Sequence, residues 1–263
     1  MFKRATFRKR PASVALAWVG LGLLLGSVGW WQALPDAPAR DDLTVTAETN
    51  GDVGGIVVID AGHGGQDSGT VHNGIMEKDL ALDIARRVDR LFRARKISTR
   101  LTRNGDYYVS LASRVASANQ EPEAVFVSIH FDEAQATAAG VETYYAAHQV
   151  PRQPTLVSWL PFWRAATAEP ANLESQNLAG AVQEALIANT QAANRGTRAQ
   201  QFYVIANVRH PAVLVEGGFL TNKNDVSKLT TDQYREELAA AIVEGVLRYR
   251  GRVRQPPAGI PSA

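Results

Sequence analysis

Short apolar runs alternate with longer amphipathic stretches from residue 56 onward. Ile56-Val57-Val58-Ile59 is a β-branched run of the kind that fills a buried strand. Similar runs predict strands at 97–101, 124–129, 141–146, 202–205 and 212–215. Between them the apolar positions recur with helical spacing. Residues 77–95 carry Leu80, Ile84, Val88, Leu91 and Phe92 on one face, residues 172–189 align Leu178, Val182 and Leu186, and residues 233–249 align Tyr234, Leu238, Ile242, Val246 and Tyr249. A shorter helix is predicted over 110–119. Strands alternating with helices imply an α/β domain, with a mostly parallel central sheet covered on both faces.

Three stretches fall outside this rhythm. Residues 12–31 carry no charge and would span roughly 30 Å as a helix, about the hydrocarbon thickness of a bilayer. Lys3, Arg4, Arg8, Lys9 and Arg10 precede them and Trp30-Trp31 closes them, as expected for a cytoplasmic N-terminus and an interfacial aromatic belt. Residues 1–31 therefore read as a membrane anchor or a signal peptide, with Ala37-Pro38-Ala39 as a possible cleavage site and the anchor preferred. Both readings export the rest of the chain. Residues 32–55 are polar and aperiodic and read as a linker. Residues 147–170 break the domain with three prolines at its centre and with Trp159, Phe162 and Trp163. A loop of that length is usually functional or unstructured, so a lid or partner surface competes with a plain surface excursion. Residues 56–250 form the domain and 251–263 a tail. The arginines at 248, 250, 252 and 254 read as a solvated terminus in preference to a contact with anionic polymer or lipid.

Charge and composition remove several classes. The chain holds 28 basic and 26 acidic residues, but residues 1–40 contain six of the basic and only one of the acidic. The domain is thus net acidic, with no sign of a nucleic-acid surface. There is no cysteine, which excludes disulfides, thiolate ligands and a Cys nucleophile. No GxGxxG or P-loop pattern supports a nucleotide fold.

Ligands of open α/β sheets gather outside the carboxyl ends of the strands. His63, His130 and Glu216 all lie at or just past such ends, and Glu77 opens the helix after the first. Two imidazoles and a carboxylate with the fourth position open have the form of a catalytic zinc site, where the pKa of bound water is lowered to about 7. A second carboxylate can then carry its proton. Each residue also has an ordinary reading: His63 as a turn former, Glu77 as a carboxylate favoured by the helix dipole, His130 as a hydrogen-bonded strand residue. Glu216 is the least ordinary, because a carboxylate after Ala-Val-Leu-Val costs several kcal/mol to bury unless it is paired, ligated or solvated in a cleft. His72, His148 and His210 lie in loops and are not assigned to the metal.

Taken in order, VVIDAGHGGQDSGT, EKDLALDIARRV, TR with Asp106 downstream, VFVSIHFD, RGTRAQQFYVI and PAVLVEGGFLTNKND resemble the zinc-dependent N-acetylmuramoyl-L-alanine amidases. The resemblance covers residues 56–249. It implies an αβα sandwich, a cell-envelope location and peptidoglycan as substrate, cut between the lactyl group of N-acetylmuramic acid and L-alanine. It also implies Zn2+ on His63, Glu77 and His130, with Glu216 as catalytic base and then acid. Two features depart from the family pattern. Phe131 stands before Asp132 where a small residue is usual, which is expected to narrow the cleft or alter substrate preference; Asp132 is itself a substrate-binding or regulatory candidate. The segment 147–170 is longer than the minimal domain needs. By analogy with an inserted blocking helix in some relatives, Trp159, Phe162 and Trp163 could close the site until a protein activator removes them. Competing readings are a non-catalytic wall-binding module, another zinc hydrolase such as a carboxypeptidase or polysaccharide deacetylase, and a membrane-tethered structural protein. All ligands are present, which argues against the first, and VEGGFLTN argues against the second.

Overall fold

A computed structural model describes residues 55–132, 135, 137–149 and 172–254. The predicted anchor or signal segment, nearly all of the linker, and Trp159, Phe162 and Trp163 lie outside the described residues. Among the described residues no helix is long and apolar enough to cross a membrane.

Side-chain alternation along three central strands divides the core. In β1 (Ile56–Ala61), Val57, Ile59 and Ala61 face one side and Val58 the other; in β5 (Ala124–Asp132), Val125, Val127, Ile129 and Phe131 oppose Ala124 and Phe126; in β8 (Ala212–Phe219), Val213 and Val215 oppose Ala212 and Leu214. The first set packs under α1 (Glu77–Ala94), α3 (Leu173–Thr190) and α6 (Asp232–Arg254), and makes the larger apolar cluster. The second set packs under α2 (Leu111–Asn119) and the short α4 (Tyr203–Asn207). Helices thus cover both faces, unequally.

The six-stranded sheet has the order β4-β1-β5-β8-β6-β7, with β4 at Thr99–Leu101, β6 at Val141–Tyr145 and β7 at Asn194–Ala199. β4, β1, β5 and β8 are mutually parallel, β6 runs antiparallel to β8, and β7 is parallel to β6. The mostly parallel sheet expected from the sequence is present. A two-stranded hairpin, β2 (Val71–His72) and β3 (Ile75–Met76), leads into α1.

The structure corrects the sequence reading in several places. Residues 202–205, expected as a strand, begin helix α4, because a four-residue apolar run fits a strand and a buried helical turn equally well. The strand in that part of the chain is β7, NRGTRA, which has no apolar alternation. It lies at the sheet edge, where arginines and exposure discourage further pairing. Helix α5 (Lys223–Leu229) follows β8, capped by Asn222, whose side chain accepts from the backbone N–H of Asn224 and Asp225. Helix α6 continues to Arg254, beyond Tyr249. Arg250 donates to the Gly55 carbonyl and Arg252 pairs with Glu184, so these two arginines tie the helix to the domain, while Arg248 pairs with Glu244 within the helix itself.

α6 crosses α3 at Gly245. A Cβ there would lie 2.4 Å from Val182 Cα, against backbone that cannot give way. Gly180 in α3 has open space around its missing Cβ. Gly245→Val is expected to lower unfolding stability by about 2–3 kcal/mol through overpacking, while Gly180→Ala gains about 0.5–1 kcal/mol from helix propensity. Urea unfolding of the two variants checks both signs.

Candidate metal centre and cleft

The site is built on the loop that leaves β1, and buried charge holds that loop. Asp60, fully buried at the end of β1, accepts from Thr102 Oγ1 (2.6 Å), Ser128 Oγ (2.8 Å) and Arg114 Nη1 (2.7 Å). Arg114, reaching across from α2, also donates to the carbonyls of Ala61 (2.6 Å), His63 (2.6 Å) and Val109 (3.0 Å). Arg103, 1 % exposed, donates to Ala61, Gly62, Lys78 and Gly105 carbonyls at 2.7–3.1 Å. Farther along, Lys78 donates to the Gly65 carbonyl and Asp106, and Asp106 accepts from the Gly65 N–H. A loop whose own carbonyls cannot reach a strand partner is thereby satisfied by side chains.

This frame fixes His63, whose backbone is left-handed (φ 58°). Its Nδ1 lies 2.9 Å from Asp67 Oδ1, and its Nε2 lies 3.0 Å from Glu77 Oε1. His130 Nδ1 approaches the same Glu77 oxygen at 2.8 Å. One ligand atom from each of His63, Glu77 and His130 falls within 4.8 Å of the others. Two glycines make this convergence possible: a Cβ on Gly62 would lie 2.4 Å from the His130 ring, and one on Gly69 would lie 2.5 Å from Glu77 Oε2. Glu77 is held by the N–H groups of Thr70 (2.9 Å) and Phe131 (3.1 Å).

Electrostatics follow from this geometry. For Glu77, burial opposes ionisation, but His130 and His63 together hold the carboxyl well below the usual carboxylate range. For His63, burial works against protonation, and Glu77 and Asp67 overcome it, raising the imidazole above its ordinary value. Two nitrogens and a carboxylate oxygen directed at one point, with the outer nitrogen of His63 fixed by Asp67, suit zinc in ligand type and in outer support.

Glu216 stands on β8 directly between His130 on β5 and Glu142 on β6. It is 8 % exposed, and its Oε2 has no hydrogen-bond partner among the described residues. Burial, and then Glu77, Asp132 and Glu142, push its pKa well up. Arg195 and Arg198 from the edge strand pair with Glu142. A pocket of about 390 Å³ opens beside the cluster, with Asp60, His63, His130 and Glu216 among its lining.

All four main residues predicted from the sequence therefore meet at one edge of the sheet. Asp132 ends β5, half-buried, on the cleft side and adds negative charge near Glu216. Phe131 does not narrow the cleft. It is fully buried in the opposite, larger core, where Gly217 leaves it room: a Cβ on Gly217 would lie 2.7 Å from the Phe131 ring. The reason is strand alternation, since His130 and Asp132 turn to the cleft and Phe131 must turn away. The sequence reading missed the supporting residues Asp67, Arg103 and Arg114. Asp67, four positions after His63 in the same glycine-rich loop, is the one with a local signal.

Fold and site together have the form of an α/β hydrolytic enzyme in which a triad able to hold a metal ion lies beside a buried carboxylate. Residues 57–248 match the N-acetylmuramoyl-L-alanine amidase family, Amidase_3, and the chain belongs to it. It is 36 % identical to the uncharacterised protein YqiI of Bacillus subtilis, over 74 % of this chain and 85 % of that one. It is 35 % identical to the N-acetylmuramoyl-L-alanine amidase LytC of the same organism, over 81 % of this chain but 39 % of LytC. Among solved structures, the amidase AmiC2 of Nostoc punctiforme superposes with a TM-score of 0.64 at 32 % identity, covering 75 % of this chain and 97 % of that one. The chain is a cell-wall amidase, an enzyme of peptidoglycan remodelling.

Asp67→Ala removes the partner of His63 Nδ1 without opening the core. It is expected to weaken metal affinity by about 10–100-fold while the far-ultraviolet circular dichroism stays native; competition with a graded chelator measures the first.

Proposed function

We propose that His63, Glu77 and His130 hold one zinc ion, and that Glu216 is the proton carrier in hydrolysis of the amide between the lactyl group of N-acetylmuramic acid and L-alanine. The observation that carries this reading is the meeting of three ligand atoms within 4.8 Å, with Glu216 on the strand next to His130. Bound zinc supplies Lewis acidity, which polarises a carbonyl and makes water acidic enough to attack at neutral pH.

The protein's own groups account for the rest. Asp67 and the backbone N–H groups of Thr70 and Phe131 keep the ligands in orientation. Glu216 takes a proton from the attacking water and returns it to the nitrogen of the departing L-alanine, one carboxyl acting as base and then acid. Glu216 stands on the strand next to His130, and its buried Oε2 has no hydrogen-bond partner among the described residues, so it is free to exchange that proton. An enzyme acting on the cell wall works outside the cytoplasm. The basic start and apolar stretch of residues 1–31 support export, with a membrane tether as the preferred form.

Zinc content and product identity test this together. The purified full-length protein is expected to hold one zinc ion and to release, from intact sacculi, free peptides that begin with L-alanine by mass spectrometry. Glu216→Gln should keep the zinc and lose turnover by at least about 10²-fold. Zinc-loaded protein that leaves the peptides on the glycan would remove the reaction, and full activity in the Gln variant would remove the role of Glu216.

A further inference from the structure

The pocket beside the metal cluster has two walls. Tyr108, Val109 and Leu111 form one, at the start of α2; Phe202, Tyr203 and Val204 form the other, at the start of α4. The helices that carry them are tied together, since Asn119 donates to the Asn207 carbonyl (3.0 Å) and accepts from the Arg209 N–H (2.8 Å). Phe202 is set by an edge-to-face contact with Tyr144, ring centroids 5.2 Å apart. Yet Tyr108, Leu111 and Tyr203 are 51, 52 and 48 % exposed. Large apolar side chains held on fixed supports and left in solvent beside a reaction centre mark a binding surface.

Charge decides what that surface takes. Among the described residues, the only lysine or arginine that lines the pocket is Arg114. That guanidinium is 3 % exposed and already directed at Asp60 and three carbonyls, so it offers nothing to an incoming carboxylate. The stem peptide carries carboxylates, and the described lining offers them no free lysine or arginine as a partner. The sugar is uncharged once its lactyl group is in amide linkage; it has apolar C–H faces that stack on aromatic rings and hydroxyls that reach a phenol.

We propose that this pocket is the saccharide subsite, which seats the N-acetylmuramoyl ring between Tyr108 and Tyr203 and so directs the stem peptide away from α2 and α4. The assignment rests on the amidase reading above and adds to it the orientation of the substrate. It makes Tyr108 and Tyr203 substrate-binding residues that act through affinity.

The test uses the full-length protein with a soluble disaccharide-tripeptide muropeptide as substrate. Two inhibitors are compared: the peptide-free disaccharide of N-acetylglucosamine and N-acetylmuramic acid, with its lactyl carboxyl reduced to the neutral alcohol, and the free stem tripeptide. Tyr203→Ala is expected to raise KM and the disaccharide inhibition constant each by about tenfold, with little change in kcat and none in the tripeptide constant. Tyr108→Ala, from the other aromatic segment of the lining and about as exposed, should act in the same direction. Weakened tripeptide inhibition with an unchanged disaccharide constant would make the pocket a peptide subsite and overturn the assignment. So would constants unchanged in an enzyme that still releases peptide, or a loss confined to kcat. A wild-type protein that releases no peptide would overturn the amidase reading, and the subsite with it.

Discussion

The site depends on one buried ion pair, Asp60 with Arg114. Asp60 sits where β1 ends, on the sheet face that α2 and α4 cover only in part, and Arg114 comes from α2 to meet it. The pair is worth little as stability in itself, since both charges give up their water. Its value is positional. With one edge of its guanidinium on Asp60, Arg114 offers its other donors to Ala61 and His63, and Arg103 completes the set on Ala61 and Gly62. Removing either member of the pair would strand the other in the interior at about 3–5 kcal/mol and free the backbone that presents His63.

The same face of the sheet changes character along its length. Toward the amino ends of the parallel strands it is apolar, with Val58, Phe126 and Leu214 under the two short helices. Toward the carboxyl ends it carries Asp60, Ser128, His130 and Glu216. The opposite face stays apolar to the end and takes Phe131 under the larger helical layer. The division lets a tightly packed core support a polar cleft without breaking a strand. It also explains why so many carboxylates crowd Glu216: Glu142 and Asp132 share its face on the adjacent strands, and Arg195 and Arg198 answer Glu142 from the edge.

The edge strand β7 therefore does more than extend the sheet. Its polar sequence would be a poor central strand, yet it places arginines beside the buried Glu142, and Arg195 also lies over the Phe219 ring at 4.6 Å. Aromatic side chains line the pocket from the α2 and α4 segments, and the arginines of β7 reach Glu142, which pairs in register with Glu216.

Much of this is legible in the chain itself. Helix spacing places α1, α3 and α6, apolar runs place β1, β5 and β8, and the strand-end rule picks out His63, His130 and Glu216, because burial imposes a period on the sequence wherever an element has one buried face. Ordered motifs along residues 56–249 point to the family. The sequence does not distinguish strand from helix at residues 202–205, does not mark β7, and misleads at Phe131, since a short run without a period carries no record of its partners. Which atoms meet is decided only by tertiary structure. Arg103 and Arg114 are far from His63 along the chain and look like ordinary surface cations until the sheet brings β4, α2 and the β1 loop together. A local pattern records which face of an element is buried; contacts between distant segments are set by the packing of the whole sheet, and leave no local trace.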